Sequence, residues 1–90
     1  MSNVFQLRVI SSERTIFQGE VTSLIVPAEG GYLGVLAHHA PLVANLIPGK
    51  IILKDADGQE QNFRSEGKGF FEVVRNTATL LVDSLEKVQQ

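Results

Sequence analysis

Ninety residues suit one domain built around one core. A hydrophobic content of 43%, a charged content of 20% and a net charge of −2 describe a chain that folds, and its eight Lys and Arg residues are scattered, with no basic stripe to track nucleic acid. The lack of cysteine removes disulfides, thiolate metal sites and cysteine nucleophiles together, and no apolar run approaches the ~20 residues a membrane-spanning helix needs. The opening Met-Ser-Asn-Val-Phe-Gln-Leu-Arg has the character of neither a signal nor a transit peptide, so a soluble protein is expected.

Period-two patterning dominates the elements. Over 4–10, Phe5, Leu7 and Val9 alternate with Gln6 and Arg8, as one face of a half-buried strand does. Strands are predicted at 15–17 and 21–26, separated by Gln18-Gly19-Glu20 as a turn and stopped by Pro27. The segment from Glu29 to Leu42 then crowds three glycines, two adjacent histidines and a proline into a run otherwise rich in apolar residues. Gly30 and Gly31 suit a tight turn, and Leu33, Val35 and Leu36 read as a short buried strand. Pro41 forbids simple continuation of a central strand, so a shaped surface loop is expected, and such loops carry function.

Ile47-Pro48-Gly49-Lys50 reads as a Pro-Gly turn with Gly49 in the left-handed region. Runs at 51–54 and 61–64 flank Asp55-Ala56-Asp57-Gly58 as a hairpin tip, and runs at 69–74 and 77–82 flank Arg75-Asn76 as a second hairpin. Only 84–90 has helical potential, and it falls short of the ~12–15 residues an isolated helix needs. The pattern is that of an all-β domain, an antiparallel β-sandwich or barrel, over residues 1–84, with 85–90 as a short tail.

The motifs that suggest chemistry each fail on a physical requirement. His38 and His39 are the only histidines, and adjacent side chains on an extended chain point to opposite faces, which makes joint metal ligation awkward. No serine sits in a Gly-x-Ser-x-Gly elbow. Ser65-Glu66-Gly67-Lys68-Gly69 lacks the glycine that a phosphate loop needs at position 62, where Asn62 stands, and the Ser or Thr at position 69, where Gly69 stands. Gly67 and Gly69 instead suit a bulge or close sheet packing. Asp55-Ala56-Asp57-Gly58 lacks the third acidic ligand and distal Glu of a calcium loop. Phe70-Phe71, on a strand, sends one ring to the core and one outward, toward a covering layer or a partner. The residues therefore favour a binding or structural role over an enzyme, with no catalytic residue, metal or cofactor.

Several motifs in order resemble one family. Leu7-Arg-Val-Ile-Ser-Ser-Glu13 with Ile16-Phe-Gln-Gly19, then Gly31-Tyr-Leu-Gly-Val-Leu36 with His39-Ala-Pro-Leu42, then Pro48-Gly49 and Gly67-Lys-Gly-Phe-Phe-Glu-Val73 are similar to the N-terminal β-domain of the epsilon subunit of F-type ATP synthases, called delta in mitochondria. The resemblance extends over nearly the whole chain. It implies a flattened β-sandwich of about ten strands without catalytic residues or cofactor, placed at the foot of the central stalk. There the domain binds the gamma subunit and rests on the c ring, coupling ion-driven rotation to ATP synthesis.

The resemblance also implies a peripheral position on the cytoplasmic face of the bacterial inner membrane, and a monomer when isolated. Ser11 and His39 match positions on the gamma-facing side. Glu29, Gly30, Gly31, Tyr32, Leu33 and Gly34 match the loop that meets the polar loops of the c ring, where Glu29 is expected to face a basic residue. Ala37-His38 departs from the family's usual Pro followed by Gly or Asn, and Tyr32 stands where a polar or acidic residue is frequent. The family's C-terminal α-helical hairpin is not in the sequence, which suits a short form of the subunit that neither restrains hydrolysis through a hairpin nor binds ATP with one. Two other readings stay open. A biotinyl- or lipoyl-type carrier would rest on Lys54-Asp55-Ala56 beside a hairpin tip, although Leu53 stands where Met or Asp usually precedes the lysine. A small metal-dependent enzyme would rest on His38 and His39.

Overall fold

The computed structural model describes residues 3–88, which contain no helix. Among them nine strands follow in chain order: β1 (Phe5–Ser11), β2 (Thr15–Ala28), β3 (Gly31–Leu36), β4 (Leu42–Leu46), β5 (Gly49–Asp55), β6 (Glu60–Ser65), β7 (Gly69–Val74), β8 (Thr77–Val82) and β9 (Leu85–Lys87). Two layers share β2. Its first half pairs with β1, from Ile10↔Thr15 to Phe5↔Val21, and its second half pairs with β3 and β5. The β5 register slips between Val21 and Ser23, where the strand passes from one layer to the other.

One layer runs β4-β7-β8-β1-β2 and the other β3-β2-β5-β6-β9. Each layer has five members because β2 counts in both, which reconciles nine strands with the ten expected. A single pair, Ala28↔Leu46, ties β4 to the end of β2 and closes the ring of strands. The fold is the expected all-β sandwich, with one pairing that local patterning does not encode: β1 lies parallel to β8, from Gln6↔Thr77 to Ser11↔Val82.

Alternation places the core. Leu7, Val9, Phe71 and Leu80 project from one layer and Leu24, Val26, Ile51 and Leu53 from the other, all 0% exposed. Side chains between them on each strand face outward, as the two-residue period requires. Phe71 is the inward ring of its pair and Phe70 the outward one, at 41% exposure.

Four local expectations are corrected. Gln18-Gly19-Glu20 is no turn: these residues pair with Arg8, Leu7 and Gln6 inside one 14-residue strand. The Phe17 ring lies over the space that a Gly19 side chain would occupy, 3.6 Å from an ideal Cβ. Pro27 does not stop the strand either. Its carbonyl accepts the Ile47 amide at 2.9 Å, and its nitrogen faces the same way, beyond the last β5 pair at Ile25↔Ile52, so the missing N–H removes no ladder bond.

Gly49 does not take the left-handed region; the glycines there are Gly31 (φ 132°) and Gly58 (φ 84°). Its requirement is space, because a Cβ would lie 2.8 Å from Pro27 Cβ and 2.9 Å from the Tyr32 hydroxyl. Finally, Leu85–Lys87 is not helical but an edge strand on β6, paired from Phe63↔Lys87 to Ser65↔Leu85. Residues 89 and 90 of the expected tail lie outside the described residues.

Both predicted hairpins form. Arg75 (φ 50°) and Asn76 (φ 59°) are both left-handed, the type I′ geometry that matches the twist of a two-residue hairpin. At the other tip the Asp55 carboxylate accepts the amides of Asp57 and Gln59, each at 2.9 Å, so Asp55 is engaged in folding the loop.

Candidate functional site

The outward face of the β4-β7-β8-β1 layer is apolar where a solvated sheet would be polar. The register sets Phe70, Leu81 and Ile10 side by side across β7, β8 and β1. Phe70 and Leu81 are 41% and 45% exposed, and Val43 and Val74 on the same face are 65% and 37% exposed. Glu72, Thr79 and Arg8 form the adjoining cross-strand row. A shallow groove of about 350 Å³ runs beside the apolar row, lined by Ile10, Ser11, Lys68, Phe70, Leu81 and Asp83. An exposed apolar strip with charged and hydroxyl neighbours has the composition of a protein-binding surface.

Ser11 and His39 bracket this face and do not meet. Ser11 ends β1, and its hydroxyl accepts the amides of Glu13 (3.3 Å) and Arg14 (3.2 Å), bonds that build the turn into β2. His39 lies at the opposite end, where Asn76 holds the connection after β3. The Asn76 side chain accepts the His38 amide at 2.7 Å and donates to the Val4 carbonyl at 3.0 Å. His38 occupies the left-handed region (φ 64°), and the His39 ring Nδ1 lies 2.8 Å from the Ala40 carbonyl. From Phe5 to Ser11, β1 spans about 20 Å at ~3.3 Å per residue. A partner that touches both residues must therefore cover the length of the face.

Residues 29–34 form the second feature, at the same end as Ser11: across the sheet Ser11, Val82, Gly69, Leu46 and Ala28 are successive partners. The Glu29 amide donates to the Asn45 carbonyl at 3.0 Å, and Gly31 supplies the positive φ that turns the chain. Glu29, Gly30, Gly31 and Tyr32 are exposed. Leu33 instead packs against the core, and Gly34 pairs with Ile25 inside the sheet, so these two support the loop rather than present side chains from it.

Tyr32 reaches sideways. Its hydroxyl accepts the Lys50 amide at 3.2 Å, over the space that Gly49 leaves open. Asn76, Leu81 and Gly49 are residues that sequence reasoning did not single out for the site. Leu81 carried a signal, since Leu80-Leu81-Val82 is an apolar run of three on one strand and only alternate members can reach the core. Asn76 carried none beyond its place in a turn.

The competing chemistries find little geometry. Lys54 lies within the ladder, paired with Ser23 and Glu60, and not at the hairpin tip where a carrier lysine would be presented. Among the described residues no three His, Asp or Glu side chains come together to hold a metal ion.

Residues 4–88 match the family model described as ATP synthase, Delta/Epsilon chain, beta-sandwich domain. The chain belongs to this ATP synthase delta/epsilon family. Among curated relatives, the ATP synthase epsilon chain of Dichelobacter nodosus is 39% identical over 90 residues, covering all of this chain and 62% of the relative. That of Protochlamydia amoebophila is 40% identical over 87 residues, covering 97% of this chain and 58% of the relative. The chain thus spans about three fifths of the length of these delta/epsilon relatives. The epsilon chain of Chlorobium limicola matches over a more equal length, 42% identical across 90% of this chain and 91% of its own.

Among solved structures, a chain in the Euglena gracilis mitochondrial ATP synthase OSCP/F1/c-ring structure superimposes with a TM-score of 0.88 at 20% identity, covering 97% of this chain and 55% of that one. A chain in the Tetrahymena thermophila mitochondrial ATP synthase central stalk and c-ring structure gives 0.71 at 17% identity, covering 89% and 63%. At these identities the likeness establishes the delta/epsilon β-sandwich fold.

Proposed function

We propose that this domain is a non-catalytic rotor element of an F-type ATP synthase, binding gamma with the β4-β7-β8-β1 face and meeting the c ring with residues 29–34. In this role it transmits ion-driven ring rotation toward ATP synthesis and works without cofactor. The observation that carries the reading is the apolar Ile10-Leu81-Phe70 row between Ser11 and His39, with Leu81 and Phe70 exposed and Ile10 half-buried, a surface suited to a protein. An exposed ion pair from Glu29 would supply about 0.2–1 kcal/mol, so attachment relies on buried area and shape across the broad face. The domain sits peripherally on the cytoplasmic face of the bacterial inner membrane through the complex, and is a monomer when isolated. Residues 1–84 form the domain proper and 85–90 its tail, which lends β9 to the sheet.

The test is recovery of partners by the tagged chain from detergent-solubilised membranes of its native host. Co-recovery of gamma with alpha, beta and c, identified by mass spectrometry, is expected. Their absence under conditions that keep the complex intact refutes the rotor reading.

A further inference from the structure

The 29–34 loop is not an independent projection. Tyr32 of the loop and the nearby Pro27 lace this end of the sheet to residues 47–50, the β4–β5 connection and the first two residues of β5. The Ile47 amide donates to the Pro27 carbonyl at 2.9 Å, and the Lys50 amide to the Tyr32 hydroxyl at 3.2 Å. Gly49 leaves room for both Pro27 and the Tyr32 hydroxyl, each within 3 Å of where its Cβ would be. The two turns therefore form one surface whose outermost side chains are Tyr32 (62% exposed), Ile47 (42% exposed), Pro48 and Glu29.

We infer that Ile47 and Pro48 belong to the same docking surface as residues 29–34 and touch the same ring of c-subunit loops, and that Tyr32 is the positioning residue joining the two turns. This rests on the rotor reading above. Continuity argues for it: a partner broad enough to cover Glu29 and Tyr32 cannot avoid Ile47, which is anchored to the residue two before Glu29. Chemistry argues for it as well. A surface loop that presents an isoleucine and a proline beside a tyrosine leaves apolar area in water unless a partner covers it. The phenol at position 32, where a short polar or acidic group would only reach solvent, spans the gap between the turns and fixes their separation.

Since the chain has no cysteine, single cysteines can be placed at will. Gly30→Cys, Ile47→Cys and Asp57→Cys, each carrying a short photoactivatable maleimide, would be illuminated in the assembled complex and the products identified by mass spectrometry. Gly30 has open space around its would-be side chain, Ile47 is exposed, and Asp57 lies at the opposite end of the domain. Products with the c subunit from positions 30 and 47, within about threefold of each other, and none from 57 are expected. A product from 30 without one from 47 overturns the inference and leaves the rotor reading standing, whereas products from neither remove the reading of this end altogether. In parallel, Tyr32→Phe should raise Lys50 amide exchange at least fivefold and lower the position-47 crosslink. Unchanged Lys50 exchange overturns the positioning role.

Discussion

Removing the side chain of Asn76 should loosen the His38–His39 connection and destabilise the whole domain, because one amide group serves two otherwise separate segments. Asn76→Ala deletes the acceptor for the His38 amide (2.7 Å) and the donor to the Val4 carbonyl (3.0 Å), while the bond from the Gln6 amide to the Asn76 carbonyl (3.1 Å) stays. Each lost bond costs about 0.5–1.5 kcal/mol. Alanine must also hold φ near 59° without the local hydrogen bonding that lets asparagine tolerate the left-handed region, which adds up to about 1–2 kcal/mol. The total is about 2–5 kcal/mol, a large part of the ~5–15 kcal/mol that stabilises a domain.

Asn76→Gly separates the contributions. It loses the same two bonds but accepts the backbone geometry, and the greater freedom of glycine in the unfolded chain returns about 0.4–1 kcal/mol of that relief. Glycine should thus be about 0.5–1 kcal/mol less destabilising than alanine. Urea unfolding followed by far-UV circular dichroism measures both variants, and amide exchange at His38 reports the connection directly. If both variants unfold within about 0.5 kcal/mol of the parent and His38 exchange is unchanged, the bridging role assigned to Asn76 is refuted.

Gly69→Ala should cost about 1–3 kcal/mol in the same assay, since the new Cβ would sit 2.6 Å from the Leu81 carbonyl and 3.3 Å from Leu46 Cδ1, and backbone yields poorly. Gly34→Ala, with nothing within 4 Å, is expected to be neutral or slightly stabilising; equal losses at the two sites would disprove the packing argument. Leu81→Asp should cost about 1 kcal/mol, since Leu81 is 45% exposed on a strand paired on both sides, and abolish recovery of gamma in the pull-down while the domain stays folded. Retained gamma binding would move the interface elsewhere. Phe71→Ala should cost about 3–5 kcal/mol, while Phe70→Ala should cost little stability and weaken gamma binding, a contrast that thermal unfolding and pull-down together resolve.

Sequence alone settled what depends on neighbours along the chain. A two-residue period in β1, the Asp55–Gly58 and Arg75-Asn76 tips, and the need for one of Phe70 and Phe71 to face outward are local consequences of strand geometry, and each is present. The exposed residues of the 29–34 loop were legible in the same way, from glycines that only a turn requires.

What tertiary structure decided depends on segments far apart in sequence. Gln18-Gly19-Glu20 looks like a turn until β1 pairs across it, and Pro27 looks like a stop until its carbonyl receives the Ile47 amide. Leu36, read with Leu33 and Val35 as buried, is 65% exposed because β3 pairs only with β2 and its outer face is left uncovered, and Ser11 and His39 fell at opposite ends because β1 runs parallel to β8, a pairing of residues some 70 positions apart. Asn76 and Gly49 matter through groups brought near them only by closure of the sheet. Local propensity is set by a residue's own backbone and its immediate neighbours. Which side chains share a surface is set by long-range pairing, whose energy appears only when distant strands have met.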